Sequence, residues 1–531
     1  MLTCTSHLYP LRTFVLVVPF SAVVMESSLW LLLSLGVSAL LLLLLLLLLL
    51  SRATKRSSKS GGHQLPPGPT PLPVVGNLFE LGDKPHRSLA RLAKLYSPVM
   101  TLRLGQVTIV FVSSPEMAGE ILQKNDAVLS GRWIPEAVRV LAHSEASMVW
   151  LPPCQRWRNL RRICKTQLFT TQRLDSYQSL RREKVQELMQ YISDSTSKGL
   201  LVQVGRVAFS TTLNLISRTV FSVDLVDLYA ESAQEFKQVV EGIMEEAGRA
   251  NLSDYFPLLA KLDPQGIRRR STKYFKRLHD IFDEHIDRRL HRERDGTTAR
   301  NDFLDELLEH QVQGDGTKFD RQALRSLFSD IFVAGSDTSS STVEWAMAEL
   351  LRNPRTMAKV REEIARVIGF ARAVEETDIG SLPYLQATVK ETLRLHPPVP
   401  LLLPRLAEAT VELHGYEIPE GTRVLINAWA IGRDSSAWTE PEEFLPERFL
   451  NREVDFRGRD LELIPFGAGR RICPGLPLAY RMVHLMLASM LQSFEWRLPE
   501  GVEPGDLDME EKFGLTLIMA SPLKAMAVPT H

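Results

Sequence analysis

Residues 463–475 read L-I-P-F-G-A-G-R-R-I-C-P-G and place one cysteine, Cys473, in a setting that a buried structural cysteine would not need. Gly467 and Gly469 permit a tight backbone turn just before it. Pro474 follows, and proline suits the first turn of a helix because its fixed φ is helical and its missing N–H would be unpaired there anyway. Leu476, Leu478, Met482, Val483, Leu485, Met486 and Leu487 predict an apolar helix beyond. Cys473 is therefore expected at a helix N-terminus, where free amides and the helix dipole favour an anion. Such a position lowers a thiol's pKa and yields the thiolate, the form that binds metals. Pro474 has no N–H to offer, so the amides of Gly475 and Leu476 are the expected donors to the sulfur.

A lone cysteine at a helix start is, in isolation, most often structural. No second Cys or His stands at metal-ligand spacing, which argues against zinc. A metal held by one soft protein ligand needs a prebuilt cofactor to fill its other positions, and haem is such a cofactor. The pattern F-x-x-G-x-R-x-C-x-G is complete at Phe466, Gly469, Arg471, Cys473 and Gly475, and it resembles the haem-binding loop of the cytochrome P450 family.

At 531 residues the chain can bury a large core, and nothing within residues 65–531 reads as a linker between domains. Lys+Arg and Asp+Glu both number 63, so no excess of basic charge points to nucleic acid. Four cysteines make no disulfide framework, and a reducing, cytosol-facing location is expected. Residues 29–50 carry no charge and contain an unbroken leucine run over residues 40–50, long enough to span a bilayer. Arg52, Lys55, Arg56 and Lys59 follow while Glu26 precedes, so the positive-inside rule puts the bulk of the chain in the cytosol. The expected organisation is an N-terminal extension (1–28), a transmembrane signal anchor of the endoplasmic reticulum membrane (29–50), a basic linker and proline-rich hinge (51–78) and a catalytic domain (79–531). Residues 1–24 have no clear role, and two readings stay open, an upstream translation start ahead of Met25 and a targeting segment. The sequon at Asn251 and Ser253 should stay unused on the cytosolic side.

Val99 to Leu104 and Val107 to Val112 predict two strands about a Gly105-Gln106 turn. Helical patterns dominate from Pro115 to Leu395. Asp320 can cap a helix of about 33 residues, near 50 Å at 1.5 Å per residue, ending before Asn353-Pro354. Its middle reads A-G-S-D-T-S-S-S-T over residues 334–342, a composition that competes for backbone carbonyls and predicts a local opening or kink. Trp157 and Arg161 stand at i and i+4 on one helix face, and Arg158, Arg162 and Lys165 make another face of it basic. Glu391 and Arg394 stand at i and i+3, by themselves an ordinary surface pair.

The resemblance covers roughly residues 65–525 and five ordered motifs. It implies a mainly α fold with a small β region, the cytochrome P450 fold preceded by a single transmembrane helix, and haem b between the long helix and the cysteine loop. Cys473 would be the axial ligand of the haem iron, with Phe466, Gly469, Arg471 and Gly475 forming its loop. Ala334 and Gly335 would leave room for oxygen and substrate, while Thr338 donates a hydrogen bond and Asp337 relays protons, as in the family's A-G-x-D/E-T motif. Trp157, Arg161 and Arg405 would hold the haem propionates. Glu391, Arg394 and Arg448 would form a buried triad that keeps fold and haem together. Residues 254–257, 455–458, 460–465 and 494–496 are similar to plant microsomal members, in the geraniol 8-hydroxylase-like group. The implied activity is hydroxylation of a small apolar, terpenoid-like substrate with O2 and electrons from NADPH through NADPH-cytochrome P450 reductase. The basic face on the Trp157 helix is by default a solvated face, with docking of an acidic electron donor as the functional alternative, and residues 131–150, 225–260, 331–335, 399–403 and 513–517 would line the substrate pocket. Two other classes stay open. A haem-thiolate isomerase or dehydratase would need no reductase, and the Asp337-Thr338 pair and the anchor count against it. A haem sensor or electron carrier would turn over no substrate.

Overall fold

The fold is given by a computed structural model, which describes Trp30 and residues 33–42, 65–294, 302–313 and 319–530. Two compact units result. The smaller comprises residues 1–62 and 72–74, and residues 33–42 of it form an exposed helix. Among the described residues no helix is long and apolar enough to cross a membrane. The expected span 29–50 lies partly, and the extension 1–28 and the basic stretch 51–62 wholly, outside the described residues.

The larger unit, residues 63–71 and 75–531, is mainly helical with a small β region. In chain order the elements that build the site are β1 (Val99–Leu104), β2 (Val107–Val112), β3 (Gly131–Arg132), α1 (Gln155–Leu168), α2 (Val204–Phe221), α3 (Ser232–Gly248), α4 (Arg321–Arg352), α5 (Pro383–Leu395), β4 (Arg405–Leu406), β5 (Arg423–Ile426) and α6 (Leu476–Ser493). The strands form one sheet in the order β1-β2-β5-β4-β3. All neighbours in it are antiparallel except β2 and β5, which pair in parallel with Ile109 opposite Arg423. Residues at either end of the proline-rich stretch bond along β1: the Thr101 amide donates to the Pro67 carbonyl at 2.9 Å and the Asn77 amide to the Arg103 carbonyl at 2.6 Å.

The long helix α4 is as the sequence predicts at both ends. The Asp320 carboxylate accepts from the Ala323 amide at 2.7 Å, satisfying one of the free amides of the first turn, and Asn353 closes the helix before Pro354. Its first third packs Leu324, Leu327, Phe328 and Phe332 into one apolar core with α1, α2 and α3. Its last third packs Val343, Trp345, Met347 and Leu350 into a second core with α5 and α6. Each such buried side chain contributes about 1.5–3 kcal/mol of transfer free energy. The small, polar residues 334–342 fall between the two cores, which leaves the middle of α4 free to border a cavity.

The expected opening of α4 is not present: the helix runs unbroken through residues 334–342. Its hydroxyls bond backward instead, Thr338 Oγ1 to the Ala334 carbonyl at 2.7 Å, Ser336 Oγ to Phe332 at 2.6 Å and Thr342 Oγ1 to Thr338 at 2.8 Å. Burial of both flanking segments holds the backbone while side chains share the carbonyls. The sequon residues Asn251 and Ser253 are 3% and 4% exposed, and Asn251 is occupied in capping the Ser253 amide.

Candidate active site

The cysteine loop is closed by its own backbone. The Cys473 amide donates to the Phe466 carbonyl at 3.0 Å. Gly467 and Gly469 both have φ of +68°, and a Cβ on Gly469 would stand 2.0 Å from the Leu122 carbonyl oxygen, so only glycine fits there. The Arg470 amide donates to Asp126 at 3.0 Å and fastens the loop to the segment before β3. Helix α6 starts at Leu476 with Gly475 as its N-cap, so the proline of its first turn is Pro477 and not Pro474. Pro474 lies in the turn between the thiol and the helix and leaves the Gly475 and Leu476 amides aimed at the sulfur, as expected. The expected lowering of the thiol's pKa does not follow. Burial pushes the Cys473 thiol up, and the two amides and the Arg161 guanidinium oppose that only in part.

One cavity joins this loop to α4, with Cys473, Phe466 and Gly475 on one side and Ala334, Gly335 and Thr338 on the other. Ala334 is exposed to it. Gly335 lines it too, yet a Cβ there would come within 2.7 Å of Ile216 on α2, so this glycine also serves helix packing. Asp337 is placed elsewhere. It is 3% exposed, does not line the cavity, and its carboxylate accepts from Thr516 Oγ1 at 2.6 Å on another side of α4. Burial raises its carboxyl to about 6, against the pull of Thr516 and Lys237. The folded state therefore binds this proton more tightly than the unfolded chain, whose value is near 3.8. Stability is expected to fall as pH rises through that window and to stay reduced above 6. Asp337→Asn, which keeps an acceptor for Thr516, should raise the unfolding midpoint at pH 7, by the equivalent of about 2–3 kcal/mol, and have little effect at pH 4. Thermal scans at the two pH values check this.

At the rim near β3 the cavity collects guanidinium groups. Trp157, Arg161, Arg405 and Arg471 come together there, and with them Arg132, which the sequence did not single out. Arg132 and Arg405 are directly opposite each other on β3 and β4, a pairing that repels. Burial first, then the repulsion of Arg405, Arg471 and Arg161, holds the Arg132 guanidinium well below its ordinary range. Burial likewise brings Arg405 and Arg471 down to about 10. Arg471 stacks on Trp157 at 4.3 Å and donates to the Ser130 and Leu151 carbonyls at 2.9 and 2.6 Å, while Arg161 donates to the Ile472 carbonyl. Arg471 Nη1 and Trp157 Nε1 are buried without a partner. Unpaired donors and mutually repelling cations at one rim, with a single cysteine sulfur at the floor, fit a flat cofactor carrying carboxylates on one edge. Haem meets that description.

Glu391, Arg394 and Arg448 are brought together behind the loop. Arg394 Nε and Nη2 donate to the two Glu391 oxygens at 2.7 and 2.8 Å, and Arg448 Nε donates to Glu391 at 3.0 Å. Of the expected lining segments, residues 131–150, 331–335 and 399–403 contribute to the main cavity. Residues from 225–260 and 513–517 do not. They line a second, smaller cavity beside β1 and β5, and α2 borders the main cavity in their place. Arg158, Arg162 and Lys165 are exposed on α1.

The chain matches the cytochrome P450 family over residues 66–524. It is 53% identical over 465 residues to geraniol 8-hydroxylase of Swertia mussotii, covering 88% of this chain and 94% of that protein. To geraniol 8-hydroxylase of Catharanthus roseus it is 53% identical over 462 residues, with 87% and 93% covered. Drimenol monooxygenase of Persicaria hydropiper is 47% identical over 474 residues, with 89% and 94% covered. A match of this extent, on a chain whose cysteine loop, long helix and arginine rim share one cavity, means that the protein belongs to the cytochrome P450 family and is a monooxygenase whose cofactor is haem iron.

Proposed function

We propose that this monooxygenase hydroxylates a small, apolar, terpenoid-like substrate, with two electrons drawn from NADPH through NADPH-cytochrome P450 reductase. It works from the endoplasmic reticulum membrane, with the catalytic domain on the cytosolic side. The observation that carries the substrate class is the cavity wall: Ile216, Val220, Ile331, Ala334, Val399 and Leu403 present hydrocarbon to the space above Cys473. The names of the similar proteins, two geraniol 8-hydroxylases and a drimenol monooxygenase, support the same class.

Cys473 would hold the haem iron, Trp157, Arg132, Arg161, Arg405 and Arg471 its carboxylates, and Phe466, Gly469 and Gly475 the loop beneath it. When bound, haem supplies the activation of dioxygen and the transfer of one oxygen atom to a C–H bond. The apolar wall excludes water and orients the substrate. Thr338 keeps a hydroxyl proton at the cavity wall, bonded to the Ala334 carbonyl until a stronger acceptor arrives. Asp337, titrating near 6, can exchange protons at neutral pH on the far side of the same turn. Glu391, Arg394 and Arg448 keep the fold around the haem and take no part in chemistry. The exposed Arg158, Arg162 and Lys165 suit an acidic electron donor.

The test is turnover in membranes that contain the reductase. Geraniol should shift the haem spin state and be hydroxylated only when NADPH is present. Product formed without NADPH would favour the isomerase or dehydratase reading, and no shift with any terpenoid would sink the substrate class. Thr338→Ala should keep haem and substrate binding but lose roughly a hundredfold in product per NADPH, the usual worth of a positioned proton donor.

A further inference from the structure

We propose that Asp330 is a specificity-determining residue: it accepts the hydroxyl hydrogen of an alcohol substrate and so fixes which distant carbon is oxidised. This rests on the terpenoid reading above and narrows it to terpenoid alcohols.

Asp330 is the one carboxylate among the described residues that line the main cavity. It stands on α4 one turn before Ala334 and two turns before Thr338, on the same broad face. Its side chain is 3% exposed. A carboxylate in so apolar a wall needs donors, and those present do not fill it. Ser147 Oγ lies 2.7 and 2.9 Å from the two oxygens but has one hydrogen to give. The Val149 amide reaches Oδ2 only at 3.4 Å, and His143 Nε2 is 3.4 Å from Oδ1. Two carboxylate oxygens offer about four acceptor positions, so at least one remains after these three. A hydroxyl entering the cavity is the donor that matches it, and its bond to a carboxylate away from water is of the strong, charge-assisted kind.

The spacing gives the anchor a consequence. Thr338 lies eight residues beyond Asp330, about 12 Å along the helix. Ala334, between them, offers only a methyl group. An extended acyclic terpenol bound by its hydroxyl at Asp330 lies along Ala334 and presents its opposite end beside Thr338, above the Cys473 loop. Oxidation then falls on the carbons remote from the existing hydroxyl.

Asp330 also fastens residues 147–149, so the experiment must separate that role from substrate contact. Spin-state titrations of the haem-loaded, full-length enzyme with geraniol and with geranyl methyl ether do so, because the ether cannot donate. The wild type should bind the ether roughly tenfold or more weakly, the worth of a hydrogen bond to a charged group. Asp330→Asn, which keeps an acceptor for Ser147, should bring that ratio below about threefold and spread oxidation of geraniol over more than one carbon. A purely structural role would weaken both ligands alike and leave the ratio intact, which overturns the proposal. So does equal binding of alcohol and ether by the wild type, a result that needs no variant and leaves the terpenoid reading standing. If neither compound shifts the spectrum of a protein with intact haem, the terpenoid reading falls and the anchor with it.

Discussion

Cys473→Ser should abolish the strongly red-shifted Soret band of the reduced, carbon-monoxide-treated protein, and with it all monooxygenase turnover, while leaving the fold in place. The two halves of that result have separate causes. The loop is held by contacts that do not use sulfur: the Cys473 amide to Phe466, the Arg470 amide to Asp126, and Arg471 to Ser130 and Leu151. Serine preserves all of these, so far-UV circular dichroism should be unchanged. Serine could not stand in for the sulfur, because Cys473 as a thiolate would hold the haem iron with a soft, electron-rich ligand that a serine hydroxyl does not offer. Burial adds a further consequence. Because it pushes the Cys473 thiol up, the folded chain without haem keeps the proton, and binding of the metal must displace it. Haem uptake by the wild type should release a proton and proceed more readily at higher pH, whereas Cys473→Ser should lose that dependence. A red-shifted band surviving in the serine variant would sink the assignment of the axial ligand.

What was legible in the sequence was local, and what was not depended on pairing between distant segments. Asp320 and Pro354 mark the ends of α4 because capping and proline chemistry act within one turn. The cysteine loop could be read because two left-handed glycines and a closing helix sit within ten residues of each other. Arg132 could not. It is an isolated arginine in an irregular stretch, and only the β3–β4 register sets it opposite Arg405. Asp330 carried no motif either, since its role depends on residues 147–149 folding back onto α4. Asp337 lies on α4, but the direction of its side chain is not legible in the sequence, because Thr516 reaches it from near the other end of the chain. The unbroken helix through residues 334–342 is the same lesson reversed. Local composition asks for an opening, and the two cores that grip α4 on either side override it.

Glu391→Gln is expected to be the most damaging single change away from the cysteine. Arg394 is fully buried, and every donor of its guanidinium is engaged. Two go to Glu391, two from Nη1 to the Gly432 and Pro441 carbonyls at 2.6 Å each, and one from Nη2 to Glu443 at 2.9 Å. Glu391 is buried as deeply and also accepts from Arg448 and from the Leu445 amide at 2.7 Å. One carboxylate thus neutralises two arginines while pinning the chain between β5 and the cysteine loop. Glutamine has nearly the same shape but no charge, and it turns an NH2 group toward donors. The desolvation cost of Arg394 is then left uncompensated, which for a broken buried pair amounts to about 3–5 kcal/mol. That is enough to lower the unfolding midpoint sharply and to leave expressed protein without haem. Arg448→Lys should be far milder. Its side chain is 11% exposed, it shares Glu391 with a better-placed partner, and a lysine can still reach a backbone carbonyl. Haem content per polypeptide and the unfolding midpoint, measured on both variants, distinguish the two. If Glu391→Gln loses no more than Arg448→Lys, the buried carboxylate is not what holds this region, and the Arg394 bonds to backbone carbonyls are sufficient by themselves.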